Sequence, residues 1–506
     1  MKRGAWAAAV LTVLAGLAWA VHGADQPAAD GPPAASGKVL LDEWRAMYMG
    51  GQKVGFEHMV TRELDTANGA FFVTAMESKV SITRAGVLLE VASNWAVRED
   101  AQGRVVAFQS ESSLMQPTQG VLDGDHFTVT TTGSTGATSR QMPPPKGLGP
   151  WAAELFSRHK GYEPGTGYSV DAFLPETPDK PVTLTVLVGA RESVQVFDVQ
   201  KWLHVQAVSN SLLPGVPSKQ WVDDEGTAWL TRTELTPQMQ VETRKTTREF
   251  ALSASEPAEL LTASYITPDR PIERPRELEG LQALLTPVEA GGTVPELPQD
   301  ALQKVSATEH GVLVTIARAH APQSGYTLPY RDKEYADLLR ANKWLEVDDP
   351  LIQQMAREAV GDATDAASAA RRIESYVDKK ITTKGLGVGM ATAAETARQL
   401  SGDCSEHAML AAALARAAGM PSRVVGGLAY VERLPGTGRY GFGYHMWAEV
   451  YVGQWLPIDA TLRGHDATHI VLFRSDMNAP GAEITMASTI IQSLGRINIR
   501  VVQTTY

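Results

Sequence analysis

A single cysteine, Cys404, occurs among the 506 residues. An intramolecular disulfide is therefore excluded, and the fold must rest on packing and hydrogen bonding. Positive charge is also in short supply: 46 Lys and Arg against 57 Asp and Glu leave a formal net charge of -11. That balance argues against nucleic-acid binding as the chain's main business. It names no substrate, because net charge speaks mostly to solubility. Past the first two dozen residues, no apolar run approaches the ~20 residues that a membrane span needs. No internal repeat of about 20–50 residues is present, which excludes a repeat architecture.

What the chain does contain is ordinary in bulk, 43% hydrophobic and 20% charged residues, as in soluble globular proteins. Its length suggests roughly 2–4 domains. The N-terminus is distinctive. Lys2 and Arg3 precede an apolar run from Ala5 to Val21, and Ala18-Trp19-Ala20 or Gly23-Ala24 offers a small-residue cleavage site. Residues 1–24 are expected to be a secretory signal peptide, which makes the protein exported, periplasmic or secreted. An uncleaved single-span anchor is the alternative, although the run is slightly short for one. No Cys lies near this segment, so a lipoprotein anchor is excluded. In an oxidising compartment a lone thiol is a liability. Cys404 is then either a small buried hydrophobe or a nucleophile.

Residues 25–37 are rich in Ala, Pro and Gly and read as a disordered spacer. From 38 to 252 the hydrophobic period is mostly two, as in Val182-Thr-Leu184-Thr-Val186-Leu-Val188. Asp123-Gly124 and Asp223-Asp-Glu-Gly226 are turn signals between such runs. This predicts an antiparallel β-rich domain, with one helix from Trp151 to His159. It carries no catalytic cluster. Recognition, substrate presentation, attachment to a cell-envelope partner or a purely structural role all remain open for it. Pro257, Pro268, Pro271 and Pro275 mark 253–276 as a linker. In 277–506 a few strands such as Gly311–Ile316 give way to helical periodicity. Helices are expected from Asp349-Pro350 to Val360, from Thr364 onward with Ala369, Ile373, Tyr376 and Val377 on one face, and from Thr392 to Leu400.

Ser401-Gly-Asp-Cys404-Ser-Glu-His407-Ala lies where a turn passes into a further helix, which Gly419 and Pro421 end. Cys404 therefore falls in the first helical turn. Free N–H groups and the positive dipole end there favour a thiolate, and the Cys404 amide is the first candidate for an oxyanion donor. Asp403 reads as the helix cap. Downstream, Tyr444-His445-Met-Trp447-Ala-Glu449-Val-Tyr-Val452 and Trp455-Leu-Pro-Ile-Asp459-Ala-Thr461 read as two antiparallel strands. A two-residue turn would set His445 and Asp459 on opposite faces. A three-residue loop, Val452 to Gln454, makes them diagonal neighbours on one face. The second register is the one expected, with Asp459 fixing the imidazole tautomer.

Gly402-Asp-Cys404-x-Glu-His407-Ala, His445-Met-Trp447-Ala-Glu449-Val and Trp455-x-Pro-x-Asp459-Ala-Thr461, in this order, resemble the core of the transglutaminase-like superfamily. The likeness runs over about 340–465, with a weaker tail through Thr468-His-Ile-Val-Leu. Ala460 departs from it, standing where many relatives have proline. The resemblance implies an α+β fold, a papain-like transglutaminase core domain at the C-terminus preceded by the mainly antiparallel β domain. It also implies a Cys404–His445–Asp459 triad, thioester chemistry on protein or peptide amides, and no cofactor or metal. A zinc site from Cys404, His407 and His445 lacks structural-site ligand spacing. Gln399 is a weak candidate oxyanion donor, and Trp447 and Glu449 are expected around the site. His407, His465 and His469 are expected to be structural. The competing expectation is a catalytically silent binding or scaffold protein that keeps the fold.

Overall fold

Alternating apolar and polar residues can bury one face of a strand and wet the other. In Val182–Val196 that is what happens: Val182, Leu184, Val186 and Val188 are buried while Leu187 is exposed. The computed structural model describes residues 37–506, apart from 68, 85, 114, 134–135, 237–238, 260–263, 386–389 and 480. The expected signal peptide and nearly all of the spacer lie outside the described residues.

The chain forms two compact units, one of residues up to 83 and 88–258, the other of 84–87 and 259–506. In the first unit, fourteen described strands from Lys38–Met49 to Met239–Thr246 form one antiparallel path. The last of them pairs with the first, so the N- and C-terminal strands are neighbours at its centre. Tight turns fall at Gly124 and Gly226, both with positive φ. The expected helix is present as Pro150–Lys160. This unit is the mainly antiparallel β domain of the fold class.

The second unit is α+β. Four helices carry its core: α1 (Pro350–Val360), α2 (Ala366–Lys380), α3 (Ala393–Gln399) and α4 (Cys404–Ala417). Each starts on a side-chain cap, at Asp349, Asp365, Thr392 and Asp403 respectively. Helix α4 is buried on nearly every side. Ala408, Ala411, Ala412, Ala413 and Ala415 let neighbouring elements approach it closely. It packs on a sheet of β1 (Ser422–Val431), β2 (Gly441–Tyr451), β3 (Trp455–Ile458) and β4 (Ile470–Ser475), in the order β3-β2-β1-β4. A second antiparallel sheet joins Gly280–Pro287 to Gly311–Ala317 on one side and to Ile497–Thr505 on the other.

The Pro-rich stretch expected to be a linker lies largely within this unit and is held by specific contacts. Ile266 bridges to Phe442, and the Ile272 N–H donates to the Tyr430 hydroxyl at 3.0 Å. Ile266 and Ile272 are both buried. Proline here fixes the path of a packed segment.

Candidate active site

The site is built by a helix start and a hairpin. Gly402 has φ +154°, and a Cβ there would fall 2.4 Å from Glu406 Cβ. Only glycine lets the chain turn so tightly into α4. Asp403 then accepts the Ser405 N–H at 3.0 Å, while Glu406 reaches back to accept the Asp403 N–H at 2.9 Å. This reciprocal cap makes Cys404 the first residue of the helix.

Cys404 keeps part of its surface exposed. The Met446 N–H lies against the sulfur and favours a thiolate, which puts the sulfur beside the residue that follows His445. The balance nevertheless departs from the sequence expectation of a depressed thiol. Burial pushes the Cys404 thiol well up, Asp403 adds to it, and the nearby Arg84 guanidinium and the Met446 N–H oppose it. Arg84 pairs with Asp403 at 3.1 Å and was not anticipated. Burial and the Asp403 charge also push the Glu406 carboxyl well above its usual range.

The hairpin register decides where the imidazole meets its carboxylate. Tyr451 pairs with Trp455 and Ala448 with Ile458, so the connection is the three-residue loop Val452-Gly453-Gln454. Extending that pairing puts His445 and Asp459 diagonal to each other on one face. His445 Nε2 stands 2.7 Å from Asp459 Oδ2. The other carboxylate oxygen, Oδ1, accepts the N–H groups of Thr461 at 2.9 Å and Leu462 at 3.0 Å. Burial would raise the Asp459 carboxyl, but His445 and then His469 overcome it and hold the group well below the usual carboxylate range. His445 is paired with Gly427 on β1, where a Cβ would fall 2.0 Å from the Ile470 carbonyl and 2.8 Å from the Trp447 ring. Glycine at 427 thus makes room for the indole that flanks His445.

The remaining expected residues divide. Trp447 is buried and stacks on His445, with ring centroids 6.0 Å apart. Glu449 is taken up elsewhere: Arg423 Nε donates to it at 2.6 Å and Arg474 Nε at 3.1 Å, so it braces the sheet. Gln399 is exposed at the end of α3. His407 turns back along its helix, with Nδ1 2.6 Å from the Asp403 carbonyl, and burial lowers its pKa.

His469 is the residue whose place sequence reasoning missed. Its Nε2 lies 3.0 Å from Asp459 Oδ2, the same oxygen that faces His445. Glu374 of α2 also converges here, accepting the Asp459 N–H at 2.7 Å. The available signal was the tail Thr468-His-Ile-Val-Leu, which runs into β4. Among the described residues, His445, Asp459 and His469 are the group able to converge on a cation, their ligand atoms lying within 4.8 Å of one another. Asp459 already links the two rings by hydrogen bonds, so that link requires no ion.

A thiol at a helix start, and a strand-borne imidazole that meets a carboxylate, are the elements of papain-like cores. Residues 353–460 match the model of the transglutaminase-like superfamily. This segment is a transglutaminase-like core. None of the curated proteins compared with the chain matches it. Among solved structures, a proposed cysteine protease from Cytophaga hutchinsonii is 16% identical over 45% of this chain and 86% of its own, with a TM-score of 0.28. A β-barrel-like protein of a domain of unknown function from Brucella abortus is 15% identical over 41% of this chain and 98% of its own, with a TM-score of 0.29. Likenesses this low carry no argument about fold or activity. The match to the transglutaminase-like core supports, in general terms, a papain-like enzyme of cysteine type.

Proposed function

We propose that the protein is an exported thiol-dependent acyl-transfer enzyme acting on protein or peptide amides, with Cys404 as nucleophile, His445 as base and Asp459 as the acid that orients it. One observation carries this reading: the 2.7 Å contact of His445 Nε2 with Asp459 Oδ2, on the strand whose Met446 N–H lies against the Cys404 sulfur. With Nε2 engaged, Nδ1 is the ring nitrogen left to take the thiol proton. The sulfur then attacks an amide carbonyl, and the developing oxyanion lies near the Cys404 N–H. The imidazolium returns its proton to the leaving ammonia or amine, and a thioester remains on Cys404. Water or a second amine releases the acyl group. Export rests on the basic and apolar N-terminal segment alone.

A second reading is a catalytically silent scaffold protein that keeps the fold. The raised thiol favours it, because a protonated sulfur is a poor nucleophile. Amine incorporation and ammonia release, measured across peptide libraries for the wild type, Cys404→Ala and His445→Ala, separate the two. Turnover by the wild type alone supports the enzyme. Equal background for all three sinks it.

A further inference from the structure

The start of α4 carries a guanidinium that the triad chemistry leaves without a task. Arg84 belongs to the short stretch 84–87 that is part of the second unit. Its Nη1 stands 3.1 Å from Asp403 Oδ2, on the residue just before Cys404. The turn that carries it is tethered, because the Gly86 N–H donates to Glu259 Oε2 at 3.3 Å. The Arg84 charge reaches the sulfur itself, where it opposes the rise of the thiol.

The contact with Asp403 uses little of what an arginine offers. A guanidinium has five N–H donors in a planar fork. Among the described residues Asp403 is the ion-pair partner of Arg84, and Nη1 makes that contact. Asp403 is engaged on its other oxygen as well: Oδ1 accepts the Ser405 N–H at 3.0 Å and the Ser405 hydroxyl at 2.8 Å. Its carboxylate is thus occupied by the helix cap, while Arg84 keeps donors unused. The Arg84 side chain is 20% exposed and none of its nitrogens is both buried and unpartnered, so the unused donors reach solvent. The other acid of this corner, Glu406, is fully buried and biased to its neutral form by burial and by Asp403.

We propose that Arg84 is a specificity-determining residue: its unused donors receive a carboxylate on the substrate, beside the amide that Cys404 attacks. This rests on the acyl-transfer reading above and names the substrate class, peptides with an acidic group next to the reacting amide. A planar fork matches a carboxylate with two parallel hydrogen bonds, which a single ammonium does not. The positive charge also draws in an anion that a chain of net charge -11 otherwise repels. An Arg84 that only offset Asp403 would act through the thiol, and so equally on every electrophile.

The test sets iodoacetate against iodoacetamide on the full-length protein. The two reagents have nearly the same shape, and in both the Cys404 thiolate displaces iodide, but only iodoacetate carries a carboxylate. The ratio of their rates therefore cancels the thiol pKa. Mass spectrometry reads it at one site, because the chain has no other cysteine. The iodoacetate-to-iodoacetamide ratio of the folded wild type is expected to exceed that of the urea-unfolded chain by about 3–10-fold. Arg84→Gln is expected to remove the excess. A folded wild type without any excess overturns the proposal, and that measurement does not require the variant to fold. An excess that survives in folded Arg84→Gln overturns it as well. On peptides, Glu beside the reacting amide is expected to raise kcat/KM about 3–10-fold over the neutral, near-isosteric Met, a preference lost in Arg84→Gln. Equal kcat/KM for every such pair in the wild type overturns the proposal. Failure of the acyl-transfer reading looks different: no peptide turns over, while the iodoacetate excess still follows Arg84.

Discussion

His445 and Asp459 lie 14 positions apart and meet at 2.7 Å because the hairpin between them turns through three residues. A two-residue turn would move every side chain of β3 to the other face. Deleting Gly453 should therefore separate the pair. We expect the deletion variant to lose acyl transfer while retaining a folded core, read by circular dichroism beside the amide assay.

Asp459→Asn tests the carboxylate without removing its bulk. The amide cannot hold the His445 tautomer in the same way and leaves the His469 ring facing a neutral group. Turnover should fall by about 10²–10⁴-fold. The same change should also lower stability, since it removes one of the two carboxylates that face the buried His469 ring. Steady-state kinetics and denaturant unfolding measure the two losses independently.

Stability should depend on alkaline pH through His469. Its folded pKa of about 9 lies above the ordinary 6.5, so its contribution is fully present below 6.5 and is lost as pH rises through about 9. The shift corresponds to on the order of 3 kcal/mol. Thermal midpoints should fall between pH 6.5 and 9.5, and the His469→Gln variant should show a flatter profile. Asp459 acts in the opposite sense: its depressed carboxyl contributes above the ordinary carboxylate range, and that contribution is lost on acidification.

Asp403 raises the Cys404 thiol while capping α4. Asn caps equally well but carries no charge. Asp403→Asn should therefore lower the thiol pKa and speed iodoacetamide alkylation near neutral pH by about 3–10-fold. Because Cys404 is the only cysteine in the chain, the label count by mass spectrometry reads this one site. An unchanged rate would show that burial alone sets the thiol.

Gly427→Ala should damage the site from behind. A methyl 2.0 Å from the Ile470 carbonyl and 2.8 Å from the Trp447 ring forces a backbone shift. A loss of about 2–4 kcal/mol is expected in denaturant unfolding. The His445 flank should be disturbed with it, read as altered Trp447 fluorescence.

Much of this architecture follows from local order in the chain. Period-two patterning set the β-rich character of 38–252, and caps such as Asp349-Pro350 and Thr392 set where helices begin, because both depend on neighbours a few residues away. The Cys404 helix start and the His445–Asp459 hairpin were legible for the same reason. Tertiary structure alone decided the rest. It brought His469 onto Asp459, turned Glu449 to Arg423 and Arg474, and set Arg84 beside Asp403. It also reversed the expected thiol shift, because burial and a neighbouring carboxylate outweigh a helix end. These depend on how much water each group loses and which charges it meets, and those quantities exist only once distant segments are packed together.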